Sequence, residues 1–326
     1  MSLSISIKRF KGYALLLLVW STFLLPRTVE AQNWLAYPDT LSKPRVRAAV
    51  ISESVITVST LTGLYFAWYS QFDQQPFRIF NDWEGWLQMD KTGHAVSTYQ
   101  IASNIQRIHL WTGMKPKAAR WLSSGLSFGY LATVEVMDGF SQGWGFSLYD
   151  FGFNTAGIAL FHVQDAAWGA QPVKLKFSFS PSGLTRSSNP IEAQRAQNLY
   201  GTSIFEQWLK DYNGQTHWAS ANLWMLTGKP DWMPKWIDFS VGYSADGMLG
   251  AESNSWLIED DGVETLYTSN LSRQRQLLLS FDLNLDHVDL PKGLVWLRPV
   301  ASFFKFPFPA LELNNKTGVG FRPFYF

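Results

Sequence analysis

Cysteine is absent from the 326 residues. That excludes disulfides and thiolate metal sites, and it leaves no acceptor for a lipoprotein anchor behind the leader. An excess of either charge is missing as well: 27 Lys and Arg stand against 26 Asp and Glu, a net charge of +1. The basic residues form no long stripe, so there is no case for nucleic acid. No long low-complexity linker or clear internal repeat interrupts the chain. A protein of this size without cross-links must hold its fold by burial alone.

Aromatic residues are abundant, with 16 Trp, 24 Phe and 12 Tyr. Trp and Tyr favour places where one end of the ring is apolar and the other wet, as at membrane interfaces and in sugar or lipid grooves. The composition points to contact with membrane lipid or an envelope glycan, with a large aromatic core as the alternative. It identifies no protein partner.

Residues 1–31 read as a signal peptide. Lys8, Arg9 and Lys11 form a basic region, and Ala14 to Leu25 is an apolar run too short to span a bilayer comfortably. Val29-Glu30-Ala31 offers small residues for cleavage after Ala31. The expected location is the periplasm or outer membrane of a bacterial cell envelope.

Over residues 32–170 the patterning is helical, in stretches 45–69, 84–113, 117–138 and 148–165. Each approaches the about 20 residues of a membrane span. Against spanning, the mean hydropathy is −0.08. The second stretch carries Asp90, Lys91, His94, Arg107 and His109. After export, two crossings would also leave the basic Lys115, Lys117 and Arg120 loop outside, the reverse of the positive-inside rule. The expectation is a compact helical bundle, some faces of which touch lipid.

Residues 171–326 read as β. Apolar and polar residues alternate in 173–180, 237–243 and 277–286; 293–304 and 317–326 look like further strands, and helices are expected within 190–235, including His217 to Leu226. Five or six strands fall short of a closed barrel, and Arg322 and Pro323 interrupt the last. The expected fold is therefore α+β, an N-terminal helical bundle followed by an antiparallel β-rich half, with a barrel-like sheet at the outer membrane as the alternative.

The informative polar residues lie in the helical part. Asp90 and His94 are four apart, with Lys91 beside them; Glu135 and Asp138 are three apart; Asp150 and Asn154 are four apart and followed by Gly157. On helices each pair shares a face, and each sits in apolar, small-residue sequence. If these groups converge they cannot all stay charged without partners. Three outcomes follow: a buried ion-pair network; a catalytic or divalent-metal site built on Asp90, His94, Glu135 and Asp150; or a pocket for a small head group. The Gly/aromatic loop 139–147 is a further candidate pocket mouth, whereas His162, Asp165 and His217 fit structural roles, and no serine sits in a nucleophile elbow.

The strings MDKTGHAVSTYQIA (89–102) and EVMDGFSQGWGFSLYDFGFNTAGIALF (135–161), with the leader, resemble the uncharacterised YfiM-like periplasmic envelope proteins. The order of elements resembles, more distantly, the VanZ-like membrane proteins. Those carry an Asp-Lys-x-x-His-x-x-x-Tyr helix, a Glu, then Ser-x-x-Asp-x-x-x-Asn-x-x-Gly. The matching positions are Asp90, Lys91, His94, Glu135, Ser147, Asp150, Asn154 and Gly157; Tyr99 follows His94 by five residues rather than four. The resemblance implies a site but no reaction; Lys91, Tyr99, Ser147 and Asn154 within it, and Asp138 beside Glu135, are the candidate binding residues. Two functions follow: a non-enzymatic, membrane-associated envelope protein that uses the cluster for structural pairing or ion binding, or a metal-dependent hydrolase or transferase acting on an envelope lipid or glycan.

Overall fold

The computed structural model describes residues 36–326 apart from 71 and 261. The signal peptide expected over 1–31 lies outside the described residues. Four long helices come first: α1 (Lys43–Leu64, continued by a π-turn over Tyr65–Tyr69), α2 (Met89–Trp111), α3 (Pro116–Gly139) and α4 (Leu148–Trp168). Proline in the first turn of α1 and α3 is harmless, because the N–H it lacks would be unpaired there anyway. α2 is central, with α3 and α4 packed on it and on each other. α1 lies alongside α3, where Tyr130 donates to Thr60 Oγ1 at 3.0 Å and Tyr69 to Asp138 Oδ1 at 2.8 Å.

Two local devices position α2 and α4. Trp86, Leu87 and Gln88, just before α2, have φ of 50°, 51° and 62°, three successive non-glycine residues in left-handed backbone. Such a run is unfavourable for L-residues, so neighbours must impose it. The Trp86 N–H donates to Ala251 O at 2.7 Å, the Tyr243 hydroxyl donates to Leu87 O, and Arg275 donates to Gln88 Oε1 at 2.6 Å. On α4, a Cβ at Gly157 would stand 2.3 Å from the Ala95 carbonyl oxygen. Glycine there lets α4 press against α2 at the level of the polar cluster. Ser147 in the short strand β2 (Phe146–Ser147), which pairs in parallel with β1 (Ile79–Phe80), caps α4 by accepting from the Asp150 N–H at 3.0 Å.

The second part holds a six-stranded antiparallel sheet in the order β10-β9-β8-β5-β4-β3. Its strands are β3 (Val173–Phe179), β4 (Gln215–Ala221), β5 (Ile237–Asp246), β8 (Gln274–Leu283), β9 (Phe308–Asn314) and β10 (Gly318–Tyr325). The hairpin β6–β7 (Ser255–Asp260, Val263–Thr268) is inserted between β5 and β8. Helices α5 (Pro190–Tyr200) and α6 (Ile204–Lys210) connect β3 to β4. The fold class is α+β. Two expected elements differ: 217–226 forms β4 and the short helix α7 (Leu223–Leu226), and 293–304 forms a 3-10 segment and the short helix α8 (Arg298–Ala301) instead of a strand.

The sheet is not a closed barrel. β3 and β10 stand at its edges, and residues 303–305 meet β3 through a single bridge, Phe177 N to Phe303 O and Lys305 N to Phe177 O, both 3.0 Å. It is nevertheless strongly curled, since Lys176 on β3 reaches Asp282 on β8 at 2.7 Å across two intervening strands.

The polar face of this sheet is the buried one. The cross-strand row Ser220, Ser240, Ser280 and Ala310 is buried, as is the row Trp218, Gly242, Leu278 and Glu312. Lys174, Lys176, Asp238 and Asp282 lie on the same face, and Lys305 stacks over the Trp218 ring at 4.5 Å. The apolar rows point outward. Leu277, Leu313 and Val319 are exposed in one, and Val241, Leu311 and Phe321 in the next. The helical bundle covers this outer face only towards β3–β5, where Tyr99 and Phe161 pack near Leu175, and Met89 near Tyr243. α3 repeats the inversion by burying Ser123, Ser124, Ser127 and Glu135 while exposing Trp121, Leu122, Leu126 and Val136.

Candidate functional site

Most of the expected cluster assembles. The Lys91 ammonium, fully buried, contacts Asp90 Oδ2 at 3.0 Å, Asp150 Oδ1 at 2.9 Å and the Asp82 carboxylate. Burial opposes its charge, yet Asp90 and Asp150 hold its pKa above the usual lysine value. Asp82 also accepts from Ser147 Oγ at 2.6 Å, while the Ser147 N–H faces Glu135 Oε2 at 3.4 Å.

His94 stands beside this pair system. Its Nδ1 is 3.1 Å from Asn154 Oδ1 and 3.3 Å from Glu135 Oε1, and the amide oxygen, which can only accept, places the proton of the neutral ring on Nδ1. Burial lowers the His94 pKa and favours that neutral form. Nε2 then presents a lone pair, 3.7 Å from Asp90 Oδ1 and 4.0 Å from Asp150 Oδ1. One ligand atom from each of Asp90, His94 and Asp150 falls within 4.8 Å of the others. Glu135 and Asn154, on the far side of the ring, orient the imidazole as outer partners of a metal-bound histidine do. Asn154 is fully buried, and its Nδ2 has no hydrogen-bond partner among the described residues.

Carboxylates outnumber cations here. Asp82, Asp90, Glu135 and Asp150 surround one ammonium and a neutral imidazole. The excess is visible in the pKa values. Burial, with Asp138 and Asp90 nearby, pushes Glu135 up to about 8, and burial with the neighbouring carboxylates raises Asp150. Asp90 is the exception: despite burial, the Lys91 ammonium holds it below the usual carboxylate value, helped by a 2.9 Å hydrogen bond from the Tyr212 hydroxyl.

Two candidates stand apart. Tyr99 donates to Val173 O at 3.2 Å and packs on Phe161, away from the cluster. Asp138 turns to Tyr69, and burial raises its pKa to about 7. Two groups escaped the sequence reading, Asp82 and Tyr212, and a third, His217, was read there as structural. Asp82 sits in an irregular loop with no periodicity to mark it. Tyr212 and His217 come from the β-rich part, more than a hundred residues on. His217 Nδ1 lies 2.7 Å from Thr92 Oγ1, and burial lowers its pKa to about 4, so the ring is neutral.

A cavity of about 220 Å³ opens onto the cluster between α2 and the outer face of the sheet. Asp90, His94, Tyr212 and His217 form its polar wall, and Leu131, Phe177, Trp208 and Phe303 contribute apolar walls.

Residues 80–165, about a quarter of the chain, match the model of a family described as predicted periplasmic lipoproteins, DUF2279. The match spans every cluster residue except Tyr212 and His217. It agrees with the exported, periplasmic or envelope location expected from the leader. The lipid implied by that description has no cysteine to carry it in this sequence. No curated protein and no solved structure gave a significant match.

Proposed function

We propose that this is a membrane-associated cell-envelope protein, placed at the outer membrane, whose charge centre holds a divalent cation through Asp90, His94 and Asp150. The observation that carries the reading is the convergence of these three ligand atoms within 4.8 Å on a cavity wall, in a cluster with more carboxylates than cations. Lys91 is then a permanent internal counter-charge that pins Asp82, Asp90 and Asp150 together, and the cation neutralises what remains. A mixed oxygen and imidazole donor set suits Mg, Mn or Zn. Metal analysis and calorimetric titration of the purified protein should find about one ion per chain, lost in Asp90→Asn and His94→Gln. No ion in the wild type, with both variants losing only stability, would leave structural pairing as the whole role.

The cavity favours one second reading, hydrolysis or group transfer on a phosphate- or ester-bearing envelope lipid or glycan. A bound cation would supply Lewis acidity there, and the neutral His217 a proton acceptor. Turnover of such substrates by the wild type at no more than the rate of Asp90→Asn would remove this reading.

A further inference from the structure

We infer that α1 and the adjoining start of α3 form a docking surface for a bilayer containing anionic phospholipid, with the basic end of α1 in the headgroup layer. The inference deepens the membrane-associated reading above and rests on it.

α1 and its π-turn, Lys43–Tyr69, are long and apolar enough to reach across a membrane, and only 6% of the most apolar window is buried. Val50, Ile51, Val55, Ile56 and Val58 are all more than half exposed. The one acid on this stretch, Glu53, turns inward and meets His109 Nε2 at 3.3 Å. Charge is thus kept on the protein side and hydrocarbon on the other, as for a helix in contact with lipid.

Both ends of α1 are chemically distinct. At its start the chain is joined to the turn between α2 and α3, through Ser42 N to Thr112 O at 2.8 Å. This brings exposed Lys43 and Arg47 to the same end of the bundle as exposed Lys115 and Lys117. None of these four makes an ion pair among the described residues, and Asp39 is the exposed acid closest to them in sequence. Arg45, in their midst, braces the corner by donating to Trp111 O at 3.0 Å. The other end carries Tyr65 and Phe66, both exposed. From Arg47 to Tyr65 a helix rises about 27 Å, comparable to the about 30 Å hydrocarbon layer. A basic collar, an apolar stripe and an aromatic end in that order match an anionic headgroup layer followed by acyl chains. A protein partner with an apolar groove would not need the collar.

Flotation of the full chain with vesicles tests this. The two vesicle types are phosphatidylcholine alone and an equimolar phosphatidylcholine–phosphatidylglycerol mixture. Binding to both is expected, about tenfold or more tighter to the anionic vesicles at low salt, with the preference shrinking as salt rises. The combined variant Lys43→Gln, Arg47→Gln, Lys115→Gln and Lys117→Gln should lose the preference while keeping its binding to phosphatidylcholine and its circular dichroism spectrum. Equal binding of the wild type to both vesicles, or an anionic preference that survives in the variant, overturns the headgroup assignment and leaves membrane association standing. Binding to neither overturns both.

Discussion

Lys91 shows how a single side chain organises the centre. Three carboxylates converge on an ammonium that has no access to water. Removing one member of such a set costs more than the set contributes, because the rest stay buried and unpaired. Lys91→Met should therefore lose about 3–5 kcal/mol in chemical denaturation, and adding Asp150→Asn in that background should recover part of it. His217 supplies a pH signature. Its pKa is about 4 in the fold, against about 6.5 in an unfolded chain, so folding favours the neutral ring. The stability this represents is complete above pH about 6.5 and is lost as pH falls through 4, about 3 kcal/mol in all. Asp138 has the opposite sign: a fold pKa of about 7 means stability declines as pH rises from about 4 through 7. Denaturation curves against pH should be flatter on the acid side in His217→Gln and flatter towards neutrality in Asp138→Asn.

At the scale of elements, close approach of α2 and α4 decides whether the cluster exists. Gly157→Ala would drive a methyl into the Ala95 carbonyl, a backbone atom that cannot swing aside. A cost of about 1–3 kcal/mol is expected, together with weaker cation uptake in calorimetry, because Asp150 and Asn154 would move away from Lys91 and His94. These helices were legible in the sequence: helical patterning over stretches near 20 residues and pairs at helical spacing mark them. The strand over Gln215–Ala221 was not, since Ala219 and Ala221 give a weak period and His-Trp reads equally well in either state. Tyr212 reaches Asp90 only through tertiary packing, for which spacing carries no signal.

For the whole molecule, the sequence pattern resolved the two faces of the sheet but not which one is inside. Alternation of period two specifies that faces differ, and only the surroundings choose between them. Here the polar rows are enclosed and the apolar rows on β8, β9 and β10 face outward. Phe281→Ser with Leu311→Ser should thus change stability by no more than about 0.5 kcal/mol per site while reducing the detergent needed to keep the protein dispersed. Lys176→Met, on the enclosed face, should be the damaging change, since it strands the Asp282 carboxylate. Thermal melts with and without detergent separate the two.

The left-handed turn over Trp86–Gln88 links the two parts of the chain. It is clamped from the sheet side by Tyr243, Ala251 and Arg275, and it sets where α2 begins and hence where Asp90 and Lys91 stand. The turn behaves like a latch: whatever loosens the sheet's grip lets that backbone relax towards ordinary geometry and draws the carboxylates out of register. Events at the strands are in this way mechanically readable at the charged cluster, although no strand residue of the clamp touches it.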